Sequence, residues 1–263
     1  MNKQTLTRLK QYKADGEKFA TLTAYDATLA RIAESAGIEV LLVGDSLGNV
    51  IQGQSSTIPV SMEQMCYHTE CVRRGTHNSF LMADMPFMTY ASPEQAIGNA
   101  AMLMQAGAQM VKLEGSLWLE DSVYLMSERG IPVCVHLGLL PQSVDKQGGY
   151  RIQGRDEDSA EQIVDGARCL VEAGADIVLL EGVPSSVAKS VTEAVDVPVI
   201  GIGAGPCTDS QVLVVHDLLG ISRRLPSFSK NYLAETGDIE AAIALYAEEV
   251  KSGKFPGEKY TIA

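Results

Sequence analysis

The sequence contains no Cys-x-x-Cys pair. Its cysteines, at positions 66, 71, 134, 169 and 207, are odd in number, and several sit inside apolar segments. That pattern argues against a disulfide framework and fits a reducing compartment. Long apolar runs are also lacking: none reaches the ~18 residues of a membrane span, and the start Met1-Asn2-Lys3-Gln4-Thr5-Leu6 has no apolar core of signal-peptide length. A soluble, cytoplasmic protein is expected. Cations are scarce, with 21 Lys and Arg against 33 Asp and Glu and a net charge of −12. This balance disfavours nucleic acid and acidic membrane surfaces as partners, because phosphate binding needs clustered Lys and Arg. Local cations or a metal could still receive an anionic substrate. The depletion that marks disorder is missing too, since hydrophobic residues make up 46% and charged residues 21% of the chain.

What is present is a repeat. Ala36-Gly37, Ala106-Gly107 and Ala173-Gly174 each lead, seven or eight residues on, through an apolar run to a carboxylate: Asp45, Glu114 and Glu181. Each reads as a helix end, a tight turn and a buried strand. Similar runs recur with helical segments between them, which predicts strands at 19–23, 40–44, 80–84, 110–114, 133–137, 177–181, 199–202 and, more weakly marked, 213–216. Eight β-α units in 263 residues predict an α/β fold, a (β/α)8 TIM barrel forming a single domain over 1–263, with a helical tail from about 237. A doubly wound open sheet is the rival topology. Two Gly/Gln/Ser-rich stretches, 48–61 and 142–158, break the rhythm and read as lids or substrate loops, or else as surface insertions.

Strand parity then locates chemistry. Side chains alternate across a strand, so Lys112 and Glu114 share a face; Asp84, His136 and Glu181 fall on the same face of their own strands, each near the C-terminal end. Five polar residues at one level of different strands mark a candidate active site. Asp45 and Asp84 are oxygen donors without a Cys or multi-His cluster, a set suited to Mg²⁺ rather than zinc. Capping of the following helix is the structural reading of Asp45. Gly201 to Gly205 reads equally as a phosphate loop or a tight turn. His68, His77 and His216 read as helix or loop residues rather than ligands.

At this point the motifs become specific. Thr23-Ala24-Tyr25-Asp26, Val43-Gly44-Asp45-Ser46-Leu47-Gly48, Ala83-Asp84-Met85-Pro86-Phe87, Val111-Lys112-Leu113-Glu114-Gly115, His136-Leu137-Gly138-Leu139 and Leu233-Ala234-Glu235-Thr236-Gly237-Asp238 together resemble the ketopantoate hydroxymethyltransferase family over nearly the whole chain. The resemblance implies a barrel of the phosphoenolpyruvate/pyruvate-binding group. It implies Mg²⁺, 5,10-methylenetetrahydrofolate as one-carbon donor, 3-methyl-2-oxobutanoate as acceptor, 2-dehydropantoate as product and a homodecamer. Matched position by position, Asp45 and Asp84 hold the metal with Glu114 close to its shell. Asp45, Ser46, Asp84, Lys112 and His136 contact the keto acid, and Glu181 is the general base. No residue is assigned to the folate. The chain departs from the family at Ser227, where a Pro-Lys-Phe motif is usual, and at Ser210, where glycine is common. Two alternatives stand beside this reading: a Mg²⁺-dependent C–C lyase or phosphonomutase on the same barrel, whose Cys-containing lid motif is not found here, and a non-catalytic keto-acid-binding relative.

Overall fold

The computed structural model describes residues 2–262, so Met1 and Ala263 of the expected 1–263 unit lie outside the described residues. Eight parallel strands close in sequence order: β1 (Phe19–Thr23), β2 (Val40–Val43), β3 (Phe80–Asp84), β4 (Met110–Glu114), β5 (Val133–Gly138), β6 (Ile177–Glu181), β7 (Val199–Ile202) and β8 (Ser210–Leu213). Closure is made by β1 against β8, with Phe19 opposite Ser210 and Leu22 opposite Leu213. The open-sheet rival is thereby excluded, because a closed barrel leaves no edge strand.

The three Ala-Gly pairs do what local chemistry demands. Helices Ala27–Ser35, Pro93–Gln105 and Glu157–Glu172 end at Ala36, Ala106 and Ala173, and the next residues, Gly37, Gly107 and Gly174, have φ of 92, 111 and 112°. A side chain is disfavoured in that left-handed region. Each glycine N–H returns to a carbonyl three residues back (Glu34, Met104, Val171). The next N–H (Ile38, Ala108, Ala175) returns to the carbonyl five back, which is the two-bond Schellman closure. The same three helices begin on Asp26, Ser92 and Asp156, whose side chains accept from first-turn amides.

Alternation divides the apolar residues into two layers. Phe80, Met82, Met110, Cys134, Ile177 and Leu179 fill the barrel interior, joined from below by Leu9 of the N-terminal helix Leu6–Asp15. Leu81, Val111, Val135, Val178 and Leu180 face outward into the helical layer. The expected tail helix spans Ile239–Lys251, and the hydroxyl of its buried Tyr246 donates to the carbonyls of Thr21 and Gln211 at 2.9 and 2.8 Å, across the β1/β8 seam.

One strand differs in position from its expectation. The run expected at 213–216 is the end of β8 and the start of a short helix, Val215–Leu218; the eighth strand lies three residues earlier, at Ser210–Leu213. Its polar residues are held by tertiary bonds: Ser210 Oγ lies 3.0 Å from Thr21 Oγ1, and Gln211 Nε2 donates to the Gly205 carbonyl at 2.9 Å. All five cysteines are unpaired. Among the described residues, no helix is long and apolar enough to cross a membrane.

Candidate active site

Parity places Asp84 at the end of β3, Lys112 and Glu114 on β4, His136 on β5 and Glu181 at the end of β6, all on the inner face at the C-terminal rim. Strand register sets Asp84 beside Lys112 and Glu114 beside His136. The side chains meet: Lys112 Nζ lies 3.1 Å from Asp84 Oδ1, 3.1 Å from His136 Nδ1 and 3.9 Å from Glu114 Oε1. The other ring nitrogen of His136 is 3.4 Å from Glu181 Oε2. Asp84, Lys112, Glu114 and His136 are no more than 3% exposed, whereas the Glu181 side chain keeps 15%.

Asp45 joins them from a loop rather than from strand parity. Its amide donates to Asp84 Oδ2 at 3.0 Å. Gly44 leaves room for the Ser46 hydroxyl: a Cβ there would sit 2.7 Å from Ser46 Oγ. Ser46 Oγ is 2.9 Å from the Tyr25 hydroxyl. The capping reading of Asp45 does not hold, because the short helix Leu47–Val50 receives no side-chain cap and Asp45 Oδ2 instead accepts from Gln142.

Charge balance follows from this packing. Burial pulls the Lys112 pKa down, but Asp84, Glu114 and Asp45 outweigh it, so the ammonium titrates above its ordinary range and stays charged. Burial, then Asp84 and Glu114, push Asp45 well up; burial also raises Asp84 against the pull of Lys112. Burial pushes Glu114 up as well, yet His136 and Lys112 bring it below the usual carboxylate range. For His136, burial and Lys112 act downward, and Glu114 and Glu181 carry it above its ordinary value.

A divalent cation fits this donor set. Asp84 Oδ1 is buried with the Lys112 ammonium facing it at 3.1 Å but in no well-directed hydrogen bond, and the raised carboxyls of Asp45 and Asp84 are those a further cation would ionise. The donors are all oxygen, which selects a hard ion. Among the described residues no three His, Cys, Asp or Glu side chains converge as a closed metal site. The fit is therefore to an ion that takes much of its shell from water and substrate, as Mg²⁺ does.

Two buried residues of the site carried no signal in strand parity. Gln142 and Tyr90 reach it from the loops after β5 and β3, each no more than 4% exposed. The only cue was the position of 142 at the head of a loop leaving a rim strand. The 142–158 stretch carries two short turns, Pro141–Ser143 and Val144–Gln147, and rejoins the rim where the Gln153 amide donates to the Gly182 carbonyl at 2.9 Å. In Gly201–Gly205 the glycines admit protein packing: a Cβ at Gly203 would lie 2.8 Å from Phe228, and one at Gly205 2.3 Å from Ser185. His68 Nδ1 pairs with the Tyr25 carbonyl at 2.7 Å, and the His216 ring lies against Tyr25. His77 contributes its amide to Glu34, away from the rim. Ser227 is exposed in the turn that places Phe228 over Gly203.

The profile described as ketopantoate hydroxymethyltransferase matches residues 3–258. The chain belongs to the ketopantoate hydroxymethyltransferase family. The chain is similar to 3-methyl-2-oxobutanoate hydroxymethyltransferases of Vibrio vulnificus, 58% identical, and Shewanella loihica, 57% identical, with 100% of both chains covered in each case. Membership in this family makes the protein a hydroxymethyltransferase. Among solved structures it is similar to a putative phosphonomutase from Burkholderia cenocepacia, with TM-score 0.66, 16% identity, and 83% of this chain and 95% of that one covered. It is also similar to a phosphonopyruvate hydrolase in complex with oxalate and Mg²⁺, with TM-score 0.64, 15% identity and 99% and 93% coverage. Likeness at those identities concerns the barrel alone.

Proposed function

We propose that the protein transfers a hydroxymethyl group from 5,10-methylenetetrahydrofolate to 3-methyl-2-oxobutanoate, giving 2-dehydropantoate and tetrahydrofolate, in pantothenate biosynthesis. The observation that carries this reading is the buried Asp84–Lys112–His136–Glu181 series on the rim of a barrel belonging to this family. Asp45 and Asp84 would hold Mg²⁺ with Glu114 beside its shell, and the ion would supply positive charge to the keto oxygen on which negative charge builds during enolisation.

The remaining work belongs to the chain's own side chains. Lys112, held charged by its carboxylate neighbours, pairs with the substrate carboxylate or the developing enolate. Ser46 and His136 orient the keto acid by hydrogen bonds. Glu181, the one carboxylate of the group with appreciable solvent access, removes the C3 proton. The carbon nucleophile forms a bond to the methylene carbon of the folate, whose two C–N bonds break with one nitrogen taking up a proton and water cleaving the other, so that the hydroxyl stays on the transferred carbon and tetrahydrofolate leaves. A positioned base contributes roughly 10²–10⁴-fold, short of the ~10⁶ or more typical of enzymes, so Glu181 does not act alone. A cytoplasmic homodecamer is proposed on the family resemblance, and light scattering tests the assembly.

The deciding experiment is a proton NMR time course of 3-methyl-2-oxobutanoate in D₂O with Mg²⁺, before and after the folate is added. Loss of the C3 signal followed by 2-dehydropantoate is expected. Glu181→Gln should abolish exchange while keeping keto acid binding, and Asp84→Ala should lose both. Normal exchange in Glu181→Gln would remove the base assignment. No exchange in the wild type would favour a lyase or a non-catalytic binder.

A further inference from the structure

Gln142 is a neutral side chain buried among charges, and both polar atoms of that side chain and its backbone N–H are hydrogen-bonded. Its Nε2 donates to Asp45 Oδ2 at 2.9 Å and to the Met85 carbonyl at 2.9 Å. Its Oε1 accepts from the Tyr90 hydroxyl, and its backbone N–H donates to Glu114 Oε2 at 3.0 Å. The Met85 carbonyl can only accept, and so can Asp45 once ionised, so the reverse orientation of the amide would set oxygen against the Met85 oxygen; the assignment follows from the network.

The consequence lies in which oxygens remain. Asp84 Oδ2 is tied by the Asp45 amide, Asp45 Oδ2 by the Gln142 side chain and Glu114 Oε2 by the Gln142 backbone. Asp84 Oδ1 and Glu114 Oε1 face Lys112, and Asp45 Oδ1 receives no hydrogen bond among the described residues. One residue thus supplies two of the three ties that turn the carboxylates. We propose that Gln142 is a positioning residue that fixes which oxygen of Asp45 and of Glu114 is offered to the bound cation, and so couples the segment between β5 and the helix Glu157–Glu172, residues 139–156, to the loaded site. Tyr90, ring-stacked on Trp118 at 5.9 Å between centroids, orients the Gln142 amide in turn. The inference rests on the reading of Asp45 as a cation holder.

If Gln142 served only to pin its loop, its loss would loosen 139–156 and leave cation affinity unchanged. The test is therefore cation binding without substrate, by calorimetry with Mg²⁺ and by the electron-spin resonance signal of free Mn²⁺, on wild type, Gln142→Met and Tyr90→Phe. Gln142→Met keeps the length and the backbone N–H on Glu114 and removes the side-chain donor and acceptor, so it tests the tie to Asp45. Its dissociation constant should weaken by about 10–100-fold, the usual effect of losing a partner that orients a ligand. Saturating cation should recover more of kcat than of kcat/KM. Tyr90→Phe should shift the constant in the same direction by less. Wild-type affinity in folded Gln142→Met, whatever its turnover, overturns the inference. Should that variant fail to fold, an unchanged constant in Tyr90→Phe does so. Absence of cation binding in the wild type would defeat the metal reading first, and this inference with it.

Discussion

Replacing Lys112 by Met removes the only permanent cation from a cluster of buried carboxylates while keeping the volume of its stem. Asp84 loses a partner at 3.1 Å and Glu114 one at 3.9 Å, and none of the three side chains is more than 5% exposed. Solvent cannot substitute at that depth. Breaking a buried pair by removing one partner costs about 3–5 kcal/mol, which for a chain of this size lowers the thermal midpoint by roughly 6–10 °C. The penalty depends on pH with a definite sign. Asp45 and Asp84 already titrate above their ordinary range, and without Lys112 they rise further. An acid whose folded pKa is raised opposes folding in full above the folded value, and that opposition fades as pH falls from the folded value to the unfolded one. The gap between variant and wild type should be wide at pH 8 and narrow at pH 5. Urea unfolding with EDTA at the two pH values measures it. A gap of equal size at both, or one under about 1 kcal/mol at pH 8, would refute the view that Lys112 neutralises the site.

Glu34 accepts the Thr76 hydroxyl and the amides of His77, Asn78 and Ser79; burial pushes its carboxyl up, but these donors hold it near about 2. A depressed folded pKa gives stability that is present above the unfolded value of about 4.3 and lost as pH falls toward the folded one. Glu34→Gln should therefore cost roughly 1 kcal/mol at pH 7, after discounting for this half-exposed setting, and little at pH 2. Chemical denaturation at the two pH values tests this. Gly44→Ala puts a methyl 2.7 Å from Ser46 Oγ, driving that hydroxyl away from Tyr25. Steady-state assays should record a loss of roughly 10²-fold in kcat/KM, the scale of a 1 Å misplacement, with an unchanged thermal midpoint; wild-type kinetics would refute the positioning role of Ser46.

Much of the barrel was legible because its determinants are local. Left-handed glycines at 37, 107 and 174 end helices by backbone geometry alone, and two-residue alternation assigns Lys112, Glu114, Asp84, His136 and Glu181 to one face before any contact is known. β8 was read three residues late for the opposite reason: Ser210 and Gln211 look like loop residues, and only Thr21 and Gly205, distant in sequence, make them strand. Asp45 reads as an acid near a strand end, but its entry depends on Asp84 receiving its amide. Gln142 was invisible as part of the site, since a neutral amide in a Gly/Gln/Ser-rich loop carries no periodic signal. The sequence by itself determined which residues stand on the inner rim, because alternation is a property of one strand. Only the tertiary structure decided their charge states and the orientation of their oxygens, because those depend on burial and on hydrogen bonds from β2, β3, β4 and the loop after β5 meeting at one place.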